Sequence, residues 1–265
     1  MNEFITLDEL LMGESFKRGS ATFPSAADIV QPYLQSTSNL VQEYRIKAIT
    51  SSETALETVT TMDIDDVREH PIYTRVHIDG ILHDDYQINH DGDVHKHVIS
   101  MLYAIDLQSP IAKVYTGYER SACLNTSIFN PKHIISKRFS DTDFSSLFDA
   151  IPLFTQRMAE FRDEYAEAII ALNNTRYAGE ELFNAIGKIG IRSVKYPGLL
   201  NAYTNMIKFL QSNQDVNGVK NIYFKKEWQT EGYSAYDLYQ AMTGTLSNKG
   251  MKEPDKIFNA YKLVC

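Results

Sequence analysis

The hydrophobic periodicity of this chain changes near residue 140, and that change constrains the fold more than any other feature. Before it, short segments rich in β-branched and aromatic residues are separated by Gly and Asp, and His90-Asp91-Gly92 is typical of a tight turn between two strands. After it, apolar residues recur at the helical period of about 3.6 residues. Runs of strands followed by runs of helices predict an α+β protein, with an antiparallel β-sheet region followed by a helical C-terminal region.

The strand-like segments have clear limits in the sequence. They are residues 40–50, 54–64, 71–79, 95–107 and 112–124. Two helices are expected before them, one after Thr6 and one capped by Ser25 that runs to about Leu34, where Pro32 would kink or stop it.

The helices after residue 140 are predicted from apolar stripes and from capping residues. The two stripes are Met158, Phe161, Tyr165, Ile169 and Leu172, and Leu199, Tyr203, Met206, Ile207 and Leu210. A further helix is expected to start at Ser234, with Asp237 as its capping partner, and another near Pro254. The glycines and cations of Gly187–Arg192 are expected to end a helix.

These elements predict three regions along the chain. N-terminal helices occupy residues 1–35, the antiparallel β region residues 36–139, and the helical region residues 140–265. No Pro/Gly/Ser-rich linker separates the last two, so we expect them to be fused into one unit. A chain of 265 residues is long enough to bury a substantial core.

The sequence predicts a cytoplasmic protein with no membrane partner. Two cysteines, Cys123 and Cys265, are too few for a disulfide framework. The first residues lack the basic and apolar regions of a secretory signal. No apolar run approaches the roughly 20 residues that cross a bilayer.

The charge is distributed unevenly along the chain. Residues 51–100 hold 11 Asp/Glu and 3 Lys/Arg, a net charge of −8, whereas residues 101–265 hold 17 Asp/Glu and 19 Lys/Arg, a net charge of +2. The acidic window could mimic DNA toward a basic protein. Residues 101–265, with their net positive charge, could contain a binding site for an anion.

The acidic window also holds six of the seven histidines. Imidazoles and carboxylates are ligands for zinc or manganese, and His83, Asp84, His95 and His97 would be the ligands of such a metal site. The alternative is a solvated strand edge and turn without a cofactor, which His77 favours because it alternates with Arg75 and Asp79 on what would be a polar face.

The basic residues after position 130 predict a nucleic-acid-binding surface. Cations bind phosphates and aromatic rings stack on bases, so their mixture is typical of a groove for single strands. The residues of this predicted surface are Lys137, Arg138, Lys188, Arg192, Lys195, Lys225, Lys226 and Trp228. No nucleophile elbow or phosphate-binding glycine loop accompanies them, so no catalytic residue is assigned.

Two segments resemble a family of phage- and plasmid-encoded proteins known only as a domain of unknown function. One is Arg120–Thr126, followed by Lys137–Ser140, and the other is Tyr196–Thr204 with its Asn-Ala-x-Thr core; the turn at residues 90–92 also fits. The resemblance spans about residues 36–212. It implies an origin in a mobile element and, for a phage protein, a location in the host cytoplasm.

Together these features favour a non-enzymatic phage or plasmid protein that acts on nucleic acid, through single-stranded DNA binding or support of recombination or replication. Its partner would be a single strand or a nucleic-acid-processing protein, and assembly into a homo-oligomer is compatible with this role. One alternative is an acidic inhibitor of a host or defence protein. The other is a metal-dependent hydrolase that uses the His/Asp cluster.

Overall fold

The computed structural model describes residues 5–13, 16–18, 21–50, 73–90, 92–105, 111–121, 125–138, 145–196, 198–216, 219–224, 230–248 and 254–265. The chain forms two compact units. Unit 1 comprises Met1–Gln87, Lys96–Thr116 and Lys132–Met158, and unit 2 comprises Ile88–His95, Gly117–Pro131 and Ala159–Cys265. The predicted ranges 1–35, 36–139 and 140–265 therefore describe the order of the elements rather than the compact units.

The strands pair antiparallel throughout the described registers. They are β1 (Phe16–Arg18), β2 (Ala21–Phe23), β3 (Val41–Thr50), β4 (Tyr73–Leu82), β5 (Ile88–His90), β6 (Asp93–Ala104), β7 (Ile111–Arg120), β8 (Thr126–Ser127), β9 (Ile134–Arg138), β10 (Arg176–Tyr177), β11 (Gln211–Val216), β12 (Val219–Phe224) and β13 (Tyr233–Ser234). The predicted strands are confirmed at β3, β4, β6 and β7, and the segment 54–64 lies outside the described residues.

The main sheet has the order β3-β4-β6-β7-β8, with β5 also paired to β6 and β9 to β7. In unit 1, Ile78 lies opposite both Ile46 and Met101. In unit 2, β5 and the start of β6 form a hairpin in which His90 pairs with Asp93, and Gly92 has a φ of 84°. The predicted turn is confirmed, because glycine reaches positive φ without a Cβ clash. The antiparallel sheet and the later helices establish the α+β class.

The described helices are α1 (Leu7–Leu11), α2 (Ala26–Thr37), α3 (Ser145–Phe148), α4 (Ala150–Gln156), α5 (Met158–Asn174), α6 (Gly179–Ser193), α7 (Leu199–Leu210), α8 (Ala235–Asn248) and α9 (Pro254–Val264). Three of them begin at capping residues that the sequence predicts. Thr6 and Ser25 form capping boxes at α1 and α2, and the Ser234 hydroxyl accepts from the Asp237 amide at 3.0 Å before α8. Helix α2 continues past Pro32 to Thr37, contrary to expectation.

The glycines of Gly187–Arg192 do not end the helix as predicted, because α6 continues through both of them to Ser193. Arg192 lies in the last turn, as the prediction of cations at the helix end requires. A Cβ on Gly190 would lie 2.8 Å from Cζ of Tyr203. Glycine at this position is therefore needed for the close packing of α6 on α7, and it does not end the helix.

Two hairpins lie in regions predicted to be helical. The pair β1–β2 follows α1, and the pair β11–β12 follows α7. The two predicted helical stripes are confirmed on α5 and α7, where Phe161, Tyr165 and Met206 are buried. No helix in the described ranges combines the length and apolarity that a membrane span requires.

Asn201 and Thr204 belong to the Asn-Ala-x-Thr core of the second segment that resembles the phage and plasmid family. Both residues are exposed on α7. The Thr204 hydroxyl donates to the carbonyl of Leu200 in its own helix, at 2.9 Å.

Candidate functional site

The predicted nucleic-acid-binding residues are described in part. Lys188 and Arg192 are exposed on α6, and the exposed Lys195 lies two residues beyond the end of that helix. Lys137 and Arg138 are the last residues of β9, but their side chains lie outside the described part of the structure. Lys225, Lys226 and Trp228 also lie outside the described residues. The geometry of the candidate site therefore rests on α6.

Helix α6 separates an apolar face from a charged face through its residue spacing. Its buried residues recur at steps of four, three and four: Leu182, Ile186, Ile189 and Ser193. The neighbouring face carries Glu181, Ala185, Lys188 and Arg192 at the same steps. Glu181 in the first turn and Arg192 in the last turn also match the helix dipole. Burial of one face thus fixes Lys188 and Arg192 one turn apart.

The cations of this face are not neutralised by neighbouring carboxylates. Within the described part of the chain, Lys188, Arg192 and Lys195 form no ion pair. Lys188 and Arg192 are spaced so that their side chains are neighbours, and like charges at this spacing repel each other. An anion placed between them would relieve that repulsion.

A cavity of about 440 Å³ in unit 2 opens beside these cations. Its wall is built from β10, α6 and the end of α9. The lining residues are Arg176, Tyr177, Glu181, Asn184, Ala185, Lys188, Ile189, Arg192, Leu263, Val264 and Cys265. Its volume is in the range of ordinary small-molecule sites, which are about 300–1,000 Å³.

Backbone carbonyl groups hold the third cation of the cavity, Arg176. Its Nη2 donates to the carbonyls of Glu231 and Gly232 at 2.9 and 3.2 Å, and its Nε donates to Glu231 O at 3.3 Å. Gly232 has a φ of 66°, and a Cβ there would lie 2.3 Å from the carbonyl oxygen of Tyr177. Because these backbone carbonyls are uncharged, they do not cancel the positive charge of Arg176.

The Tyr177 phenol and the Cys265 thiol of the cavity are neutral near pH 7. Burial raises the pKa of the Tyr177 phenol and of the Cys265 thiol above their usual values. A thiol with a raised pKa is a poor nucleophile, since the thiolate is the reactive form. The cavity is therefore suited to bind an anion rather than to attack one.

The predicted metal ligands are not gathered into one site. His83 and Asp84 are exposed at a 3₁₀ turn, whereas His95 and His97 are buried and hydrogen-bonded. Among the residues that the structure describes, no three His, Cys, Asp or Glu side chains could together hold a metal ion. The alternative of a zinc or manganese hydrolase gains no support from this geometry.

The expectation that His77 and Asp79 lie on a solvated polar face is wrong. In unit 1, both are buried in a polar network within the sheet. The His77 Nε2 lies 2.6 Å from the Tyr115 hydroxyl, and the Ser100 hydroxyl donates to Asp79 Oδ1 at 2.7 Å. Buried polar groups are tolerated when they are paired, so this network is consistent with a structural role.

A second, partly buried polar network lies in unit 2 and includes Arg120, from the segment Arg120–Thr126 that resembles the phage and plasmid family. Arg120 Nε donates to Asp93 Oδ2, and His95 Nε2 lies 3.2 Å from the same oxygen. The other ring nitrogen, Nδ1, lies 3.0 Å from the Tyr165 hydroxyl. Burial lowers the pKa of His95 in spite of Asp93, so the ring is neutral at pH 7. These contacts hold the β5–β6 hairpin rather than a metal ion.

Asn125, in the segment Arg120–Thr126 that resembles the phage and plasmid family, is also used internally. Its amide donates to the backbone and side-chain oxygens of Gln240 on α8, at 3.2 and 3.1 Å. Cys123 lies outside the described residues. The segment therefore links elements within unit 2, and no reactive group is described in it.

No known protein family, curated protein or solved structure matches this chain. The resemblance of residues 36–212 to phage- and plasmid-encoded proteins therefore stays a prediction. The geometry described above is the basis for the functional proposal.

Sequence reasoning missed the other side of the cavity. Arg176 and Tyr177 form a strand of only two residues, and the carbonyls that hold Arg176 come from positions 55 and 56 residues later in the chain. No local pattern marks such a pair. The signal that the sequence did contain was the charged face of α6.

The buried His97 makes the stability of the protein sensitive to acid. Burial, and secondarily His133, lowers the pKa of His97 to about 3, whereas an unfolded histidine has a pKa of about 6.5. Below pH 6.5 the unfolded chain binds a proton that the folded chain does not, so this group lowers stability progressively as the pH falls toward 3.

We expect His97→Gln to remove this acid sensitivity. Glutamine can still hydrogen-bond Thr116, whose hydroxyl lies 2.7 Å from His97 Nε2. Between pH 6.5 and 5 the unmodified protein should lose about 2 kcal/mol more unfolding free energy than the variant, at about 1.4 kcal/mol per pH unit. Urea unfolding at both pH values measures this difference. Parallel losses in the two proteins would contradict the assignment.

Proposed function

We propose that this protein is a non-enzymatic nucleic-acid-binding protein of phage or plasmid origin that binds single strands through α6 and the residues just after it. The contact surface comprises Lys188, Arg192 and Lys195. The observation that carries the proposal is that these three exposed cations have no carboxylate partner among the described residues. Phosphate groups are the anions that such a row of cations binds in nucleic acids.

Apolar side chains beside the cations provide contact area for bases. Ile191 and Val194 are 74% and 76% exposed, and the Phe183 ring on the same side of α6 is 43% exposed. The spacing of four, four and three through Gly187 places these residues on one helical stripe. An exposed apolar stripe next to cations favours single strands, because their bases are accessible for stacking.

The charge distribution also favours a local site over general duplex binding. The whole chain has a net charge of −8, which opposes non-specific association with DNA. The described acidic side chains between residues 73 and 100 are partly used internally, since Asp79 is buried and Asp93 pairs with Arg120. Two of the described carboxylates of this window are therefore used within the fold, whereas Asp84 and Asp85 are exposed.

The test is a pair of matched double variants. Lys188→Gln/Lys195→Gln removes two cations of the proposed surface, and Lys132→Gln/Lys208→Gln removes two exposed lysines elsewhere. Single-stranded DNA affinity is measured by fluorescence anisotropy over a series of salt concentrations. The first variant should bind more weakly, and its salt slope should fall by about 1.4, because each single-strand phosphate contact contributes about 0.7.

The control variant separates a local site from a general charge effect. It should keep the affinity and the salt slope of the unmodified protein. Equal losses in the two variants would mean that net charge alone governs binding, and an unchanged first variant would exclude α6 as the contact surface.

A further inference from the structure

We propose that the cavity beside α6 binds the terminal phosphomonoester of a nucleic-acid strand, so that the protein prefers strands with phosphorylated ends. This inference rests on the proposed function and names the substrate class of the same region. The cavity occupies about 440 Å³, and Lys188 and Arg192 line it as well as belonging to the proposed strand-binding surface. A strand bound along α6 would therefore have its end at the cavity.

The charge of the lining fits a terminal phosphate better than an internal one. Three side chains are cationic, Arg176, Lys188 and Arg192, and one is a carboxylate, Glu181. Among the lining side chains, positive charges thus exceed negative ones by two. A phosphomonoester carries about −1.5 to −2 charges at pH 7 and offers three acceptor oxygens, whereas each internal phosphodiester carries a single negative charge.

Arg176 is positioned to donate to such a group. Its hydrogen bonds to the carbonyls of Glu231 and Gly232 use Nε and Nη2. The two N–H groups of Nη1 make no hydrogen bond with any described residue, so they are available to a ligand. A guanidinium fixed on one side by the backbone loses little freedom on binding a phosphate with its other side.

The remaining lining suits the nucleoside that carries the phosphate. The Tyr177 ring forms part of the wall, with the apolar side chains of Ile189, Leu263 and Val264. Aromatic and apolar surfaces next to cations are the combination that holds a base beside its phosphate. The cavity volume exceeds what a phosphate alone would fill, so a terminal nucleotide fits its size as well as its charge.

The test compares three strands of identical sequence: one with a 5′-phosphate, one with a 3′-phosphate and one with hydroxyl groups at both ends. Anisotropy of an internally labelled strand is measured with the full-length protein. We expect one of the phosphorylated strands to bind about tenfold more tightly than the hydroxyl strand, the gain from one charge-assisted hydrogen bond network. Arg176→Gln and Arg192→Gln should each reduce this preference.

The outcomes separate the two proposals. Equal affinities for all three strands in the unmodified protein would overturn the cavity inference and leave strand binding intact, whereas no binding of any strand would overturn the proposed function and the inference with it. Because Arg176 also contacts backbone, its variant could be destabilised. The exposed Arg192 provides the second test, and a preference that survives Arg192→Gln in the folded protein would also overturn the inference.

Discussion

Gly80→Ala is expected to destabilise the protein by about 3 kcal/mol, near the upper end of the cost of overpacking a core. A Cβ at this position on β4 would lie 2.7 Å from the Tyr33 hydroxyl oxygen, 2.9 Å from Val41 Cγ2 and 3.0 Å from the Ile99 carbonyl oxygen. The Ile99 carbonyl belongs to strand backbone and Val41 is a β-branched residue, so neither neighbour can move far. Urea unfolding followed by circular dichroism measures the effect.

The hydroxyl of Tyr33 allows the clash to be dissected. It donates to Ile99 O at 2.6 Å in the interior of unit 1. Tyr33→Phe removes this oxygen, so the double variant Gly80→Ala/Tyr33→Phe should be more stable than the sum of the two single effects predicts. Strict additivity would show that the alanine methyl group does not meet the tyrosine, and would contradict the packing of α2 on the sheet.

Gly232→Ala is expected to have an effect of similar size and to impair the cavity. Gly232 has a positive φ, which costs roughly 1–2 kcal/mol for alanine, and the new Cβ would lie 2.3 Å from the Tyr177 carbonyl oxygen. Movement of this segment would displace the carbonyls that hold Arg176. We therefore expect lower stability together with a loss of preference for phosphorylated strands, although no charge has been removed.

Gly187→Ala is the matched control for this substitution. Nothing lies within 4 Å of a Cβ at Gly187, which occupies the interior of α6. Alanine there should stabilise the helix by about 0.5–1 kcal/mol, the usual difference between glycine and alanine. Unfolding curves in which Gly232→Ala is as stable as Gly187→Ala would contradict the positive φ and the close approach to Tyr177 that the structure gives Gly232.

Local chemistry was sufficient to predict where elements start. The Ser234 hydroxyl and the Asp237 carboxylate accept hydrogen bonds from backbone N–H groups that any helix start leaves free. The start of α8 could therefore be predicted from four consecutive residues. The turn at Gly92 is equally local, since its positive φ depends on the absence of a Cβ.

The errors arose where distant residues decide the outcome. The role of Gly190 in α6 is to leave room for Tyr203, which lies on another helix and cannot be found from the sequence of α6 alone. The hairpin β11–β12 had a local signal, Asn217-Gly218 between two segments, but Gln211–Val216 contains a single β-branched residue, Val216, where a strand normally has several. Local propensity therefore did not predict this strand.

The candidate site, like the fold, has one part that local sequence predicts and another that depends on distant residues. The cations of α6 could be predicted from composition and spacing alone. The burial of His77 and Asp79 could not, because alternation along a strand shows which residues share a face but not whether that face is covered. The role of Arg176 depends on a contact across more than 50 residues of sequence, which no motif reports.

The most direct test of the central claim is the binding of single-stranded and duplex DNA of the same sequence, measured by anisotropy at low and moderate salt. The account predicts binding to the single strand that weakens as salt increases, and weaker binding to the duplex. Absence of binding to the single strand at low salt, or equal affinity for both forms, would contradict it.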